Sequence, residues 1–441
     1  MKPQFLIAAP HSGAGKTTVT LGILRALKDN GLNVQPFKCG PDYLDPKLHT
    51  ISSGKQGINL DRFMMDNIHI GELYQSYGES ADVLVTEGVM GLFDGAVKME
   101  GSSADIARLL NIPIVLIVNA KAMAYSVAAL LLGFKTLCKD THIAGVIFNF
   151  VDHESHYLLL KEAAEDVGIT ALGYLPNNPA IQIPSRHLGL KTEKGIDLER
   201  AIELAAVHIK KYINLEELMR ITTAPFVSSN PSASISLNKH SEKQGKGKTI
   251  LIAKDEAFNF TYAENIRALS TLGTIRYFSP LKDEVLPAAD LIYFPGGYPE
   301  LHLEALSRNQ MIKDQLFTYY QNGGKILAEC GGMMYLGKSI ADHNGKAYAM
   351  TGILTLSTSM QYKKLSLGYK KVNIDGIALK GHEFHYSQFT EIPEVNTRIK
   401  VWNARNELLQ LPVYHTKNVL ASYFHFYFGS DIGAIEKLLS I

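Results

Sequence analysis

The chain has 441 residues, more than one hydrophobic core usually organises, so two domains are expected. Hydrophobic residues make up 46% and charged residues 20%, which excludes a disordered chain and fits a globular protein with large cores. A formal net charge of +1 excludes the basic footprint that phosphate-backbone recognition needs, so no nucleic acid is expected as a partner. Cys39, Cys138 and Cys330 are odd in number and widely spaced, which argues against a disulfide framework and for a reducing compartment, the cytoplasm. The opening MKPQFLIAAP reads as a buried first strand and not as a signal peptide. AYSVAALLLGF (124–134) is the most apolar stretch and is too short to span a bilayer, so no membrane partner is expected.

In chain order, β-type apolar runs QFLIAAP, DVLVTEG, PIVLIVNA and IAGVIFNFV alternate with helical stretches at 16–29, 102–111, 123–138 and 154–167. That rhythm predicts an α/β domain, a mostly parallel sheet with helices on both faces, over residues 1–221. Residues 222–248 are rich in Ser, Asn, Pro, Gly and Lys and read as a linker. The strand rhythm resumes with KTILIAK, ADLIYFPGG and GKILAEC, and from about residue 350 gives way to shorter, turn-punctuated strands. Residues 249–441 are therefore expected to form a second α/β domain with an antiparallel insertion or extension near its end.

The first chemical motif follows strand one. In Ala9-Pro10-His11-Ser12-Gly13-Ala14-Gly15-Lys16-Thr17-Thr18, small residues let the backbone curl and aim N–H groups at phosphate oxygens, ahead of a helix N-terminus that favours negative charge. Ser12, Gly13, Gly15, Lys16, Thr17 and Thr18 are the candidate nucleotide-binding residues, with Lys16 reaching the outer phosphates and Thr17 offering a hydroxyl to Mg²⁺. Pro10 occupies the place of the usual first glycine, so the loop is a variant. Two acidic loops follow the next strands: Lys38-Cys39-Gly40-Pro41-Asp42-Tyr43-Leu44-Asp45-Pro46, and Glu87 to Gly95 with Asp94 near its end. Ligands of open parallel sheets sit beyond the carboxyl ends of the strands, where both loops belong. Glu87 is placed to hold Mg²⁺ or its waters, Asp42 can share that task, and Asp45 and Asp94 stand further out, where a substrate is gripped.

The second domain carries a different chemistry. Lys325-Ile326-Leu327-Ala328-Glu329-Cys330-Gly331-Gly332-Met333 reads as strand, sharp turn and helix with Cys330 at the turn. A lone cysteine is more often a small buried hydrophobe, but paired glycines at an elbow point to a nucleophile. A base is needed, and His425 in the run 420–428, His382 and His385 are all candidates that spacing does not separate. Gly296 and Gly297, in a turn after a strand, together with Gly331, offer backbone N–H groups for an oxyanion hole.

Seven motifs in order, APHSGAGKTT, KCGPDYLDP, TEGVMGLFDG, FPGGYPEL, AECGGMMYL, GHEFHYS and ASYFHFYF, make nearly the whole chain outside the linker resemble the cobyrinic acid a,c-diamide synthase family. That family joins a dethiobiotin-synthetase-like ATPase domain to a class I glutamine amidotransferase domain of the cobyric acid synthase type. The resemblance implies that Cys330 attacks the glutamine amide, that His425 is its base, and that ATP with Mg²⁺ activates a tetrapyrrole carboxylate as an acyl phosphate for ammonia to attack. It implies that Asp42, Asp45 and Glu87 lie nearest phosphoryl transfer, with Tyr43 in the same loop, and that Asp94 handles substrate. The expected small-molecule partners are thus ATP, glutamine and a tetrapyrrole acid; a homodimer is the assembly allowed for. Class I relatives commonly carry a Glu two residues after the base, where this chain has Tyr427, and many relatives carry Asp where Asn119 stands. Sister enzymes acting on nickel-sirohydrochlorin or hydrogenobyrinic acid share the motifs. A regulatory ATPase of the partitioning type is the reading from another class, but such ATPases carry a second Lys early in the loop, where this chain has His11, and that reading leaves the Cys330 elbow without a role.

Overall fold

The computed structural model describes residues 1–181, 183, 197–226, 247–390, 398–416 and 418–441. Its chain divides into two compact units, Met1–Ile235 and Ser236–Ile441. No helix among the described residues is long and apolar enough to cross a membrane.

In the first unit, seven strands form a parallel sheet: β1 (Lys2–Ala8), β2 (Val34–Cys39), β3 (Ile58–Leu60), β4 (Val83–Glu87), β5 (Ile114–Asn119), β6 (Ile143–Asn149) and β7 (Thr170–Leu175). Their spatial order is β3-β2-β4-β1-β5-β6-β7. The helices are α1 (Lys16–Asp29), α2 (Asp45–Ser53), α3 (Asn67–Gly78), α4 (Ser103–Leu110), α5 (Val127–Leu137), α6 (Glu154–Asp166), α7 (Leu198–Tyr212) and α8 (Leu215–Ile221). The strands are buried nearly end to end because both faces are covered. On one face Phe5, Ile7, Val85, Val115 and Ile147 meet Val19, Ile23 and Leu27 of α1, Ala206 and Ile209 of α7, and Leu218 of α8. Residues of opposite parity face the other side, where Tyr74 of α3 packs on Phe37 and Tyr157 of α6 on Phe148. The parallel sheet with helices on both faces is the architecture that the alternation of apolar runs and helical stretches predicts.

Two details differ from the expectation. The helix expected over 123–138 begins at Val127, because Ala120–Ser126 closes into turns with bonds from Met123 N to Ala120 O and Val127 N to Ala124 O. Thr223–Ala224, which composition assigns to the linker, form β8, antiparallel to Lys2 and Pro3 of β1, and Thr222 is fully buried beside them. Most of the stretch read as a linker, 227–246, lies outside the described residues.

The second unit holds three sheets. The main one contains β9 (Thr249–Ala253), β10 (Thr274–Phe278), β11 (Leu291–Phe294), β12 (Lys325–Glu329) and β22 (Val419–Ser422), all parallel, with β21 (Val413–His415) antiparallel at one edge. Between β12 and β22 the chain leaves this sheet. It forms a small sheet from β13 (Ser339–Ala341), β14 (Ala347–Ala349), β15 (Ser357–Ser359) and β18 (Gln388–Phe389). It also forms an antiparallel sheet from β16 (Ser366–Ile374), β17 (Ile377–His385), β19 (Ile399–Asn403), β20 (Leu408–Leu409) and β23 (Phe424–Tyr427). The antiparallel part is thus an insertion, since β22 returns to the main sheet. Helices α9 (Ala263–Leu272), α10 (Leu303–Arg308), α11 (Gln310–Gln321), α12 (Gly331–Leu336) and α13 (Gly433–Leu439) complete the unit. Ile250, Ile252, Tyr293 and Leu327 of the main sheet share one cluster with Val372, Leu379 and Phe426 of the antiparallel sheet. That shared core holds the end of β12 and the middle of β23 in one body.

Candidate active site

Each unit builds one site. In the first, the chain leaves β1 into a loop whose Gly13 and Gly15 have φ of 84° and 92°, the left-handed region that only glycine enters without strain. A Cβ on Gly15 would also run into the Asn149 amide, which donates to Ala14 O at 2.9 Å and braces the loop from the end of β6. Lys16 and Thr17 open α1. The Lys16 ammonium donates to Met90 O at 2.6 Å, and burial followed by the nearby Lys38 lowers its proton affinity. Thr17 Oγ1 donates to Glu87 Oε1 at 2.8 Å, so the hydroxyl and the carboxylate named for Mg²⁺ are in contact.

Glu87, at the end of β4, is fully buried and heavily bonded. Lys38 Nζ lies 3.2 Å from its Oε1, and His49 Nε2 lies 2.7 Å from its Oε2. Burial alone would raise Glu87, but Lys38, His49 and Thr17 outweigh it and hold the carboxyl well below the usual range. Lys38 also meets Asp45 Oδ2 at 2.7 Å and Gly88 O at 3.0 Å. Burial works to lower Lys38, yet Asp45, Glu87 and Asp42 overcome it and hold the ammonium above its ordinary value. Burial pushes Asp45 up, with Lys38 pulling the other way. Asp42 Oδ1 accepts from the N–H groups of Leu44 and Asp45 and so closes the turn that leads into α2. Tyr43 is buried beside it. Asp94 is exposed, and its Oδ2 accepts from Gly91 N at 2.9 Å, which closes its own loop. Ser12 is exposed and Thr18 half-buried. Asn119 Oδ1 accepts from Lys121 N at 3.3 Å, a turn contact.

Lys16, Thr17, Lys38, Asp45 and Glu87 are therefore brought together, while Asp94 stands outside their bonds. Lys38 and His49 were not singled out from the sequence. Asp45 and His49 are four apart, hence on one face of α2, and that spacing is the signal by which His49 was discoverable. The oxygen donors Thr17 and Glu87 fit a hard cation that takes its remaining ligands from phosphate and water.

In the second unit Cys330 links β12 to α12 with φ 46° and ψ −108°, a left-handed conformation costly for a non-glycine residue. Its N–H donates to Ser422 O at 2.7 Å, which ties the elbow to β22. The following glycines are required by close approach. A Cβ on Gly331 would meet Pro299 Cδ at 2.7 Å and Gly297 N at 3.2 Å, and one on Gly332 would strike Phe294 O. The Gly296–Gly297 turn therefore lies against the elbow. On its other flank is His425, since a Cβ on Gly296 would collide with the His425 ring at Cε1. Gly296, Gly297, Gly331, Cys330 and His425 thus gather around one turn.

Both side chains are buried, Cys330 at 5% and His425 at 1% exposure. Burial pushes the thiol up, with Glu300 next, and pushes His425 down to about 3. Each is held neutral. His382, opposite His425 on β17, stacks on its ring with centroids 4.9 Å apart. His385 instead stacks on Tyr423 at 3.7 Å and meets Glu383 at 2.9 Å. Of the three histidines, His425 is the one the elbow's glycine turn rests on. Cys39 and Cys138 are free and buried, and burial pushes the Cys39 thiol up to about 12.

The second unit thus sets a buried thiol at a positive-φ elbow beside a glycine turn whose other flank is a neutral imidazole, and the first sets a glycine loop, Lys16, Thr17 and Glu87 at the carboxyl ends of its strands. Comparison with known proteins identifies the two domains. Residues 5–190 match the CobQ/CobB/MinD/ParA nucleotide binding domain, and residues 249–432 match the CobB/CobQ-like glutamine amidotransferase domain. The hydrogenobyrinate a,c-diamide synthase of Brucella abortus is 40% identical over 96% of this chain and 97% of its own. The cobyrinate a,c-diamide synthase of Caldanaerobacter subterraneus is 40% identical over 96% of this chain and 94% of its own, and that of Listeria monocytogenes 38% identical over 98% and 100%. The chain belongs to the family of cobyrinate and hydrogenobyrinate a,c-diamide synthases and is an amide-forming ligase with a glutamine amidotransferase domain.

Proposed function

We propose that this chain converts the a and c side-chain carboxylates of cobyrinic acid to amides, using ATP and glutamine. Residues 249–441 hydrolyse glutamine. His425, a neutral base, takes the Cys330 proton as sulfur attacks the side-chain amide, and the N–H groups of Gly296, Gly297 and Gly331 receive the oxyanion. Ammonia leaves as the glutamyl thioester forms, and water then releases glutamate. Residues 1–221 phosphorylate the substrate. Lys16 and the loop N–H groups hold the phosphates, and the γ-phosphoryl group moves onto a substrate carboxylate to give an acyl phosphate and ADP. Ammonia displaces phosphate and yields the amide. Thr17 and Glu87, with Asp42 sharing the task, would hold Mg²⁺, which when bound neutralises phosphate charge. Lys38 and Asp45 line the phosphoryl-transfer side, and exposed Asp94 meets the macrocycle.

The observation that carries this reading is the positive-φ Cys330 elbow with His425 and the Gly296–Gly297 turn packed against it. A nucleotide switch alone has no use for such a thiol. The test is an incubation of purified protein with ATP, Mg²⁺, glutamine and, separately, cobyrinic acid, hydrogenobyrinic acid and nickel-sirohydrochlorin, read by mass for replacement of OH by NH₂. Two such replacements on cobyrinic acid are expected; no amide on any acid would sink the reading. The name of the Brucella relative, hydrogenobyrinate a,c-diamide synthase, makes hydrogenobyrinic acid the second reading, and preferential turnover of the metal-free acid would select it.

A further inference from the structure

The imidazole of His425 needs a group that fixes its plane, and β23 supplies no carboxylate for that purpose. Two residues on, on the same face of the strand, stands Tyr427, whose ring packs edge-on against Tyr262 with centroids 5.6 Å apart. What lies beside His425 is another imidazole. His382 of β17 is its direct antiparallel partner, and opposed residues of such a pair bring their side chains together. The two rings are nearly parallel, 17° apart at 4.9 Å. His382 is itself anchored, its Nδ1 lying 3.0 Å from Tyr262 Oη, and Tyr262 is among the largest fully buried side chains. Gly296 bounds the Nδ1–Cε1–Nε2 side of the His425 ring, where even a methyl has no room.

We propose that His382 is the positioning residue for His425: its ring is the wall against which the base is held in the plane that serves Cys330. The proposal rests on the glutamine-hydrolysing reading given above. The groups that act on this pair are Lys370 of β16, Glu383 and His385 of β17, and Tyr262 ahead of α9. Of these, Lys370 and His385 are both engaged by Glu383, at 2.9 Å each. Burial, then His425 and Lys370, keeps His382 neutral, so it sets no positive charge beside the base when His425 takes up the thiol proton. A neutral π face next to a forming imidazolium is attractive where a second cation would repel it. The register that makes this pair comes from the run Gly381-His382-Glu383-Phe384-His385, whose even positions alternate with odd ones across β17. His382 therefore faces the base, and Glu383 turns away to Lys370 and His385.

The experiment uses the full chain with His382→Phe, which keeps a ring face, and His382→Leu, which keeps bulk without one. Glutamine hydrolysis is read as kcat and KM, with ammonia-dependent amidation and a cooperative melt as controls for each variant. His382→Phe is expected to retain kcat within about threefold and His382→Leu to lose about 100-fold, both with KM for glutamine near the parent value and ammonia-dependent amidation unchanged. If the Leu chain does not melt cooperatively, His382→Gln takes its place with the same expectation. Full kcat in the ringless variant overturns the proposal, as does equal loss in the Phe variant or an effect confined to KM. Failure of the underlying reading looks different: the unsubstituted chain would hydrolyse no glutamine, or Cys330→Ala would hydrolyse it as fast.

Discussion

Lys38 is the buried cation on which the first site closes, with side-chain exposure of 4% and partners Asp45 and Glu87 at 17% and 1%. Removing one member of a buried ion pair leaves the others uncompensated, which costs about 3–5 kcal/mol, far more than a surface pair contributes. Lys38→Met is therefore expected to lower the denaturant midpoint of the first unit's transition by a few kcal/mol equivalent, while Lys210→Met, at an exposed pair with Asp29, leaves it nearly unchanged. Equal small shifts in both would deny Lys38 its structural charge. In the second site the sign of the shift at His425 makes a separate prediction. Burial lowers this base from 6.5 to about 3, so between those values the folded chain keeps a neutral ring where an unfolded one is protonated. The stability this gives is present above 6.5 and is lost as pH falls towards 3. Glutamine hydrolysis should accordingly stay level from pH 8 down to pH 5, measured as kcat/KM; a fall centred near 6.5 would mean an unshifted base.

At the scale of elements, the glycine turn after β11 is the contact that sets Cys330 and His425 around one point. Gly296→Ala places a methyl in the His425 ring, so glutamine hydrolysis is expected to fall about 100-fold with ammonia-dependent amidation kept. A variant that hydrolyses glutamine normally would show that the turn yields. The elements themselves were largely legible, since strand, glycine loop and helix at 2–29 announce themselves through an apolar run, small residues and a helical period. The start of α5 was not, because Lys121-Ala122-Met123-Ala124 has helical composition yet closes into turns. Contacts across long separations were the least legible. His49 reaches Glu87 across 38 positions, and only its place four residues after Asp45 on α2 hinted at the site. Spacing left His382, His385 and His425 equivalent; the family resemblance named His425, and in the fold it is the one against which the Gly296 turn packs. Asp42, an acidic residue in a Gly-Pro loop read for chemistry, also closes the turn ahead of α2 with its Oδ1, a contact the sequence did not single out.

For the molecule as a whole, the two units hold chemistries that a single pocket serves badly. A carboxylate needs an activating phosphoryl group in a site built for anions, and amide cleavage needs a thiol with a neutral base at hand to take its proton. On the proposed reading, Lys16, Lys38 and Glu87 serve the first, and buried Cys330 and His425 serve the second. Relatives that match the chain at 38–40% identity over nearly their full lengths retain both domains together. The division of labour between the units is the central claim, and one labelling experiment addresses it directly. Glutamine carrying heavy nitrogen at its amide is supplied with unlabelled ammonium, ATP, Mg²⁺ and the tetrapyrrole acid, and the product amides are weighed for the parent chain, Cys330→Ala and Lys16→Ala. The parent is predicted to incorporate heavy nitrogen, Cys330→Ala to form the same amides from unlabelled ammonia alone, and Lys16→Ala to form none. Heavy nitrogen in the Cys330→Ala product, or amides made by Lys16→Ala, would contradict it.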